Sequence, residues 1–264
     1  MVVVLSNVAA RRTVLSTNAT RTKYERDRVA GMKTSQPGVV ARVPLTRERV
    51  LAGAAEIADG SGIGALTMRS LAHALGAKPM SLYHHVANKD EILDALVDLV
   101  FSEVEVPSEA PDGWRAAMEA RAHGMRAALA RHPWAVGLME TRTTPGAANL
   151  RHHNATLGVL RRSGFSLDAA GHAYALMDSY IYGFALQEAG LPVGKPDSDP
   201  QVVQAMARSI PADELPYLAE MAMDRALQPD YRFSAEFDVG LAIILDGLAG
   251  LLPQHPERLL NNPT

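Results

Sequence analysis

Between Gly76 and Val86 the sequence reads GAKPMSLYHHV, which gathers an amine (Lys78), a hydroxyl (Ser81), a phenol (Tyr83) and two imidazoles (His84, His85) on one short segment. Such groups suit catalysis, metal ligation or hydrogen bonding to a polar partner, and spacing separates the three. Adjacent histidines on a helix point about 100° apart and do not readily chelate one metal; the pair His152-His153 has the same problem. Neither an H-E-x-x-H zinc motif nor a G-x-S-x-G nucleophile elbow occurs. Gly60-Ser61-Gly62-Ile63-Gly64 follows a helical pattern rather than a strand and lacks the G-x-G-x-x-G spacing, so it reads as a turn. The chain has no cysteine, which removes disulfides, thiolate metal sites and a cysteine nucleophile. No catalytic residue, metal or cofactor is expected. Recognition remains. A DNA major groove admits one helix and offers donors, acceptors and thymine methyls. Lys78, Ser81, His84 and His85 can hydrogen-bond there, Pro79, Met80 and the Tyr83 ring can meet methyls, and the Tyr83 hydroxyl can reach a phosphate. The same segment also fits a plain helical hairpin with a solvated polar face.

The pattern around the segment is helical throughout. Val50, Leu51, Ala54, Ile57 and Ala58 share one face of a first helix. Thr67 can cap a second, with Leu71, Ala74 and Leu75 inward, and Gly76 can close it in the left-handed conformation. Pro79 suits the first turn of a short third helix held by Leu82 and Val86. Asn88 caps a fourth, with Glu91 completing a capping box and Ile92, Leu93, Leu96, Val97 and Val100 on its apolar face. Two helices joined by a glycine turn, the second short and exposed, match a helix-turn-helix. Further helices are expected over 114–131, 145–163, 167–189, 201–209, 212–227 and 233–252, with a loop at 190–200. No stretch alternates as a strand does. The expected fold is all-α, with three domains: a basic tail (1–43), a three-helix DNA-binding head (44–91) and a larger helical body for ligand binding and dimerisation (92–264).

Composition agrees with that division. Of the 264 residues 47% are hydrophobic, enough for one large or two small globular units. Residues 1–92 carry 13 Lys/Arg and 7 Asp/Glu; residues 93–264 carry 13 and 22. A front of +6 and a rear of −9 direct a polyanion to the front, although the whole excess lies within 1–43. That segment has no period and reads as a disordered basic tail able to add phosphate contacts; the alternative is that translation starts at Met32. No apolar run approaches the ~20 residues of a membrane span, and no export signal is seen, so a cytoplasmic protein is expected.

The run Leu66-Thr67-Met68-Arg69-Ser70-Leu71-Ala72-His73-Ala74-Leu75-Gly76, then Leu82-Tyr83-His84-His85-Val86 and Asn88-Lys89-Asp90-Glu91, resembles the DNA-binding domain of TetR-type (tetracycline repressor-like) regulators. Ser163-Gly164-Phe165-Ser166, Gly183-Phe184-Ala185-Leu186-Gln187-Glu188 and the apolar run 237–251 are similar to the body of the tetracycline-repressor subclass. The resemblance implies a ligand-released repressor that binds a palindromic operator as a dimer. It implies DNA contacts from Thr67, Arg69, Lys78, Pro79, Met80, Ser81, Tyr83, His84, His85 and Lys89, with Arg69 reaching guanine and the amide end of the fourth helix binding phosphate. Met68 stands where relatives carry a small polar residue. An activator of the same kind, or a helical adaptor that leaves DNA alone, fits the same elements.

A dimer needs a seam. Phe237, Leu241, Ile244, Leu248 and Leu251 are spaced 4, 3, 4, 3, a helix-packing period, and Gly240 and Gly247 would let a partner come close. Tyr180 and Phe184 belong to a second stripe. Either stripe also fits an intramolecular core; the resemblance favours pairing through a four-helix bundle. The resemblance further places a small-molecule pocket at Arg121, Met125, His153, Thr156, Tyr174 and Asp178. The subclass founder holds a drug–magnesium chelate through a histidine before a Gly-Thr-Arg run, and the matching stretch here, Val136-Gly137-Leu138-Met139-Glu140-Thr141-Arg142, has none. A different, more apolar effector is therefore expected.

Overall fold

The computed structural model describes residues 44–105, 113–190, 205, 208–228 and 231–253. The expected tail (1–43), the loop beyond residue 190 and most of the helix at 201–209 lie outside the described residues. Helix α1 spans Arg47–Ser61, capped by Thr46, whose hydroxyl accepts from the Arg49 amide. A single 3₁₀ turn (Ile63–Ala65) leads to α2, Met68–Ala74. Thr67 and Ser70 cap α2 reciprocally at 2.9 and 3.0 Å. Gly76 takes φ +62°, and the Ala77 amide returns to the Ala72 carbonyl, a glycine-closed helix end. Pro79 then opens α3, Pro79–Leu82, and Asn88 caps α4, Lys89–Ser102.

The body follows as α5 (Gly113–Arg131), α6 (Ala135–Met139), α7 (Ala147–Arg162), α8 (Leu167–Gly190), α9 (Pro216–Met221) and α10 (Glu236–Ala249). The described residues include no strand, as expected for an all-α chain. Val50, Ala54, Leu71, Leu82, Val86, Ile92 and Leu96 close the head core. Helix α4 packs on α1 at one end and on α5, α6 and α7 farther along, so one rigid element serves head and body.

Three expectations need correction. The helix expected over 212–227 starts only at Pro216, because Pro211 heads a turn and proline prefers the first helical position; it then widens into a π turn over Ala222–Ala226. Residues Phe233–Ala235 form a 3₁₀ turn before α10. Helix α6, five residues long, is too short to show a period and was not expected.

Candidate DNA-reading face and ligand site

Helix α3 buries one residue, Leu82, and turns the rest outward. Met80 is 72% and Tyr83 46% exposed. Lys78, Pro79 and His84 are exposed beside them, as are Thr67 and Arg69 at the start of α2; Ser81, His85 and Lys89 are half-buried. The ten predicted DNA residues thus lie at the capped start of α2, on α3 and the turns flanking it, and at the start of α4. One detail differs. The amide end of α4 was expected to bind phosphate, yet the Asn88 carboxamide accepts the Glu91 amide at 2.8 Å and the Glu91 carboxylate accepts the Ala87 amide at 2.6 Å. Glu91 also pairs with Arg47 at 3.1 Å. The Ala87 hydrogen bond, then Arg47, hold its carboxyl below the usual range. Two amides are thus spent within the chain, and a fixed negative charge sits there.

In the body, Arg121 on α5 is completely buried. Its Nε–H donates to His152 Nε2 on α7 at 3.0 Å, and Nη2 pairs with Asp178 on α8. Its guanidinium lies 5.4 Å from the centre of the Tyr174 ring. Tyr174 approaches His153 Nε2 at 3.3 Å. Burial, the Arg121 charge and His153 push His152 down to about 3, so the ring is neutral at any ordinary pH. Burial also lowers His153, helped by Arg121, and burial raises the Tyr182 hydroxyl, with Asp178 adding to it. Four predicted ligand residues (Arg121, His153, Tyr174, Asp178) thus meet in one polar cluster. The other two do not present a polar group to it. Met125 is fully buried core, and Thr156 spends its hydroxyl proton on the His152 carbonyl at 2.8 Å. Sequence reasoning chose His153 of the histidine pair; His152 is the buried partner of Arg121, and a helical phase count could not rank the two. A separate surface hollow of about 410 Å³ lies on the exposed face of α7, lined by Leu157, Gly158, Arg161 and neighbours, and shares no residue with the cluster.

The residues that tie this cluster to the head escaped the sequence reading. Phe101, on α4, sets its ring 5.3 and 5.5 Å from those of His152 and His153. Asp98, also on α4, accepts the Asn149 amide at 2.8 Å and so caps α7 from another helix. The cap position of α7 is Gly146, and a Cβ there would overlap the Asp98 carboxyl. Arg142 joins Asp94 at 2.5 Å and Asp90 at 2.9 Å. Asp90, Asp94 and Asp98 stand at i, i+4 and i+8, one acidic edge of α4 gripping the body. A second latch reaches α1: Asp59 Oδ1 accepts from His132 Nδ1 at 2.7 Å and from Trp134 Nε1 at 2.6 Å, while His132 Nε2 meets Glu103 at 3.0 Å. Burial opposes charge on His132, but Asp59 and Glu103 outweigh it and raise its pKa. Burial opposes charge on Glu103 too; Arg131 and His132 outweigh it and hold that carboxyl low.

The expected dimer seam is mostly core. Phe237, Leu241, Leu248 and Phe184 are buried within the single chain, and Tyr180 and Ile244 are partly buried against them; only Leu251 is exposed. Tyr180 donates to the Phe237 carbonyl at 2.9 Å, and a Cβ on Gly240 would overlap its ring. Gly240 therefore admits a tyrosine of its own chain rather than a partner helix. The intramolecular alternative wins because α8 and α10 must first bury their aromatic stripe against each other. Their outward faces are also apolar: Leu176 and Leu186 on α8, Val239 and Ile243 on α10, 47–66% exposed.

Comparison with known proteins matches residues 50–96 to "Bacterial regulatory proteins, tetR family" and residues 106–252 to "Tetracyclin repressor-like, C-terminal domain". The chain is 34% identical to the HTH-type transcriptional repressor DrrR1 of Streptomyces coeruleorubidus, over 80% of either chain. It is 33% identical to the class A tetracycline repressor protein from transposon 1721 in Escherichia coli, over 78% of this chain and 91% of that one. Among solved structures, ActR of Streptomyces coelicolor in complex with actinorhodin superposes with a TM-score of 0.67 at 28% identity, covering 80% of this chain and 100% of that one. Among the described residues no helix is long and apolar enough to cross a membrane.

Proposed function

The chain belongs to the tetR family of bacterial regulatory proteins and is a ligand-responsive DNA-binding repressor, and we propose that it acts in the cytoplasm as a homodimer, reading a palindromic operator with α3 and releasing it when an effector enters the Arg121 cluster. The observation that carries this reading is the geometry of α4. One end packs on α1 of the head and follows α3 directly in the chain, and the other end lays Phe101 on His152 and His153. The DNA contacts are assigned to Arg69, Lys78, Pro79, Met80, Ser81, Tyr83, His84 and His85, with Thr67 and Lys89 flanking them. Phosphate contacts set register, and base contacts set sequence. The effector contacts are assigned to Arg121, His153, Tyr174 and Asp178, joined by His152 and Phe101. The solved structure of ActR in complex with actinorhodin supports a small-molecule effector.

The outward apolar faces of α8 and α10 support pairing. Two α3 helices in a dimer meet successive grooves about 34–36 Å apart. An effector that displaces Phe101 or α7 moves Asp98 and the whole of α4, and α4 carries α3 out of register. Effector and operator then oppose each other through one coupling free energy, typically about 1–3 kcal/mol. Site selection from random duplexes with the full chain tests the reading. A palindrome with half-sites one helical turn apart is expected, and Tyr83→Ala should abolish its enrichment. Enrichment of no sequence at all would contradict a DNA-reading role.

A further inference from the structure

His132 is a buried ionisable side chain at the junction of head and body. Its backbone is fixed on both sides. The amide donates to the Ala128 carbonyl in the last turn of α5, and the carbonyl accepts the Ala135 amide, both at 2.9 Å. The ring is thereby presented to two carboxylates from different elements. Asp59, near the end of α1, faces Nδ1 at 2.7 Å, and Glu103, just past α4, faces Nε2 at 3.0 Å. A carboxylate only accepts, so both contacts are hydrogen bonds only when both ring nitrogens carry protons. The surroundings suit that cation. Trp134 sets its ring 5.6 Å from the imidazole and donates its N–H to Asp59. Arg131 donates two N–H groups to Glu103, at 2.6 and 3.1 Å. Two carboxylates then meet two cations. Loss of one proton leaves the ring a single N–H and turns a lone pair toward the other carboxylate, with one negative charge uncompensated. One arm of the latch, to α1 or to α4, then opens.

We propose that this latch makes operator binding proton-dependent: the doubly protonated ring fixes the head against the body in the arrangement that holds operator, and loss of one proton loosens the head and weakens binding. The proposal rests on the DNA-reading assignment of the head and adds its regulation. Helix α1 enters the head core through Val50 and Ala54, so a hold on Asp59 is a hold on the head. The two heads of a dimer must meet two half-sites at once, and heads fixed beforehand avoid the ordering cost that loose heads meet on DNA. Burial opposes the charge on His132, but Asp59 and Glu103 outweigh it and raise its pKa. Affinity is therefore fullest below the ordinary histidine value and falls as pH rises through the folded one.

The test is the affinity of the full chain for the palindrome enriched from random duplexes, between about pH 6 and pH 9, in wild type and His132→Gln. The His132 ring is also followed by NMR in the free and operator-bound wild type. His84 and His85 on the DNA face are common to both proteins and cancel in the comparison. Wild type should bind about fivefold or more tightly than His132→Gln at the acid end, and the two should converge at the alkaline end. By linkage, the His132 pKa should rise when operator binds; this arm needs no variant and stands if His132→Gln does not fold. A ratio of affinities that is constant with pH, or a His132 titration that operator leaves unmoved, would overturn the proton link and leave the DNA-reading role in place. Binding of no duplex at any pH would overturn both.

Discussion

At the residue scale the decisive contacts are between helices rather than along them. His132 is the clearest case. Its folded pKa lies above the ordinary value because Asp59 and Glu103 face it, with Arg131 sharing Glu103 and Trp134 sharing Asp59. Its contribution is therefore complete below the ordinary histidine range and is lost as pH rises through the folded value; Glu103, held low, loses its share only in acid. Thermal unfolding from pH 6 upward should narrow the gap between wild type and His132→Gln, and parallel curves would contradict the latch. Gly146 gives a second prediction. Gly146→Ala should cost about 1–3 kcal/mol by overlap, and less in an Asp98→Ala background, as a double-mutant cycle of denaturant midpoints would show. None of this was legible in the sequence. His132 lies 73 positions from Asp59 and 29 from Glu103, and Asp98 lies 51 from Asn149, and no local period reports a contact at that range. Thr67, Gly76, Pro79 and Asn88 were legible because caps and turns are decided by residues three or four apart.

At the scale of elements, α3 and α4 do the work. Helix α3 could be read because its few apolar residues, Leu82 and the following Val86, leave a polar and aromatic remainder that no core needs. Helix α4 was read as an apolar helix, correctly, and its acidic edge carried no reading. Asp90, Asp94 and Asp98 are engaged by Arg142 and the Asn149 amide. Arg142→Ala should leave operator affinity within about threefold while reducing effector-driven release, a loss of part of the coupling of about 1–3 kcal/mol. Fluorescence anisotropy of labelled operator, with and without effector, reads the two quantities separately. Unchanged release would remove the α4 edge from the path. The stripe on α10 shows the opposite failure. A 3.5-residue period reports that a helix packs but not against what, and Phe237, Leu241 and Leu248 face α8 of their own chain.

At the scale of the whole molecule, two units share one helix, and α8 and α10 each turn apolar side chains outward. Leu176, Leu186, Val239 and Ile243 are exposed on the single chain, and pairing would cover them. Ile243→Glu should convert a dimer into a folded monomer in sedimentation equilibrium and should abolish operator binding at the concentrations used. A monomeric wild type, or a dimer indifferent to Ile243→Glu, would place the partner surface elsewhere. The charge asymmetry between front and rear belongs to this scale as well. The excess lies in residues 1–43, so removing them should lower the salt slope of DNA binding without altering the preferred sequence.

The measurement that reaches furthest is the affinity of the full chain for its selected palindrome and for a random duplex, each at two salt concentrations, with wild type and Tyr83→Ala. The wild type should prefer the palindrome by about 10³-fold or more and lose affinity steeply with salt as counterions are released. Tyr83→Ala should collapse the preference while keeping the salt dependence. Equal affinity for the two duplexes, or a preference that survives Tyr83→Ala unchanged, would contradict the claim that α3 reads DNA.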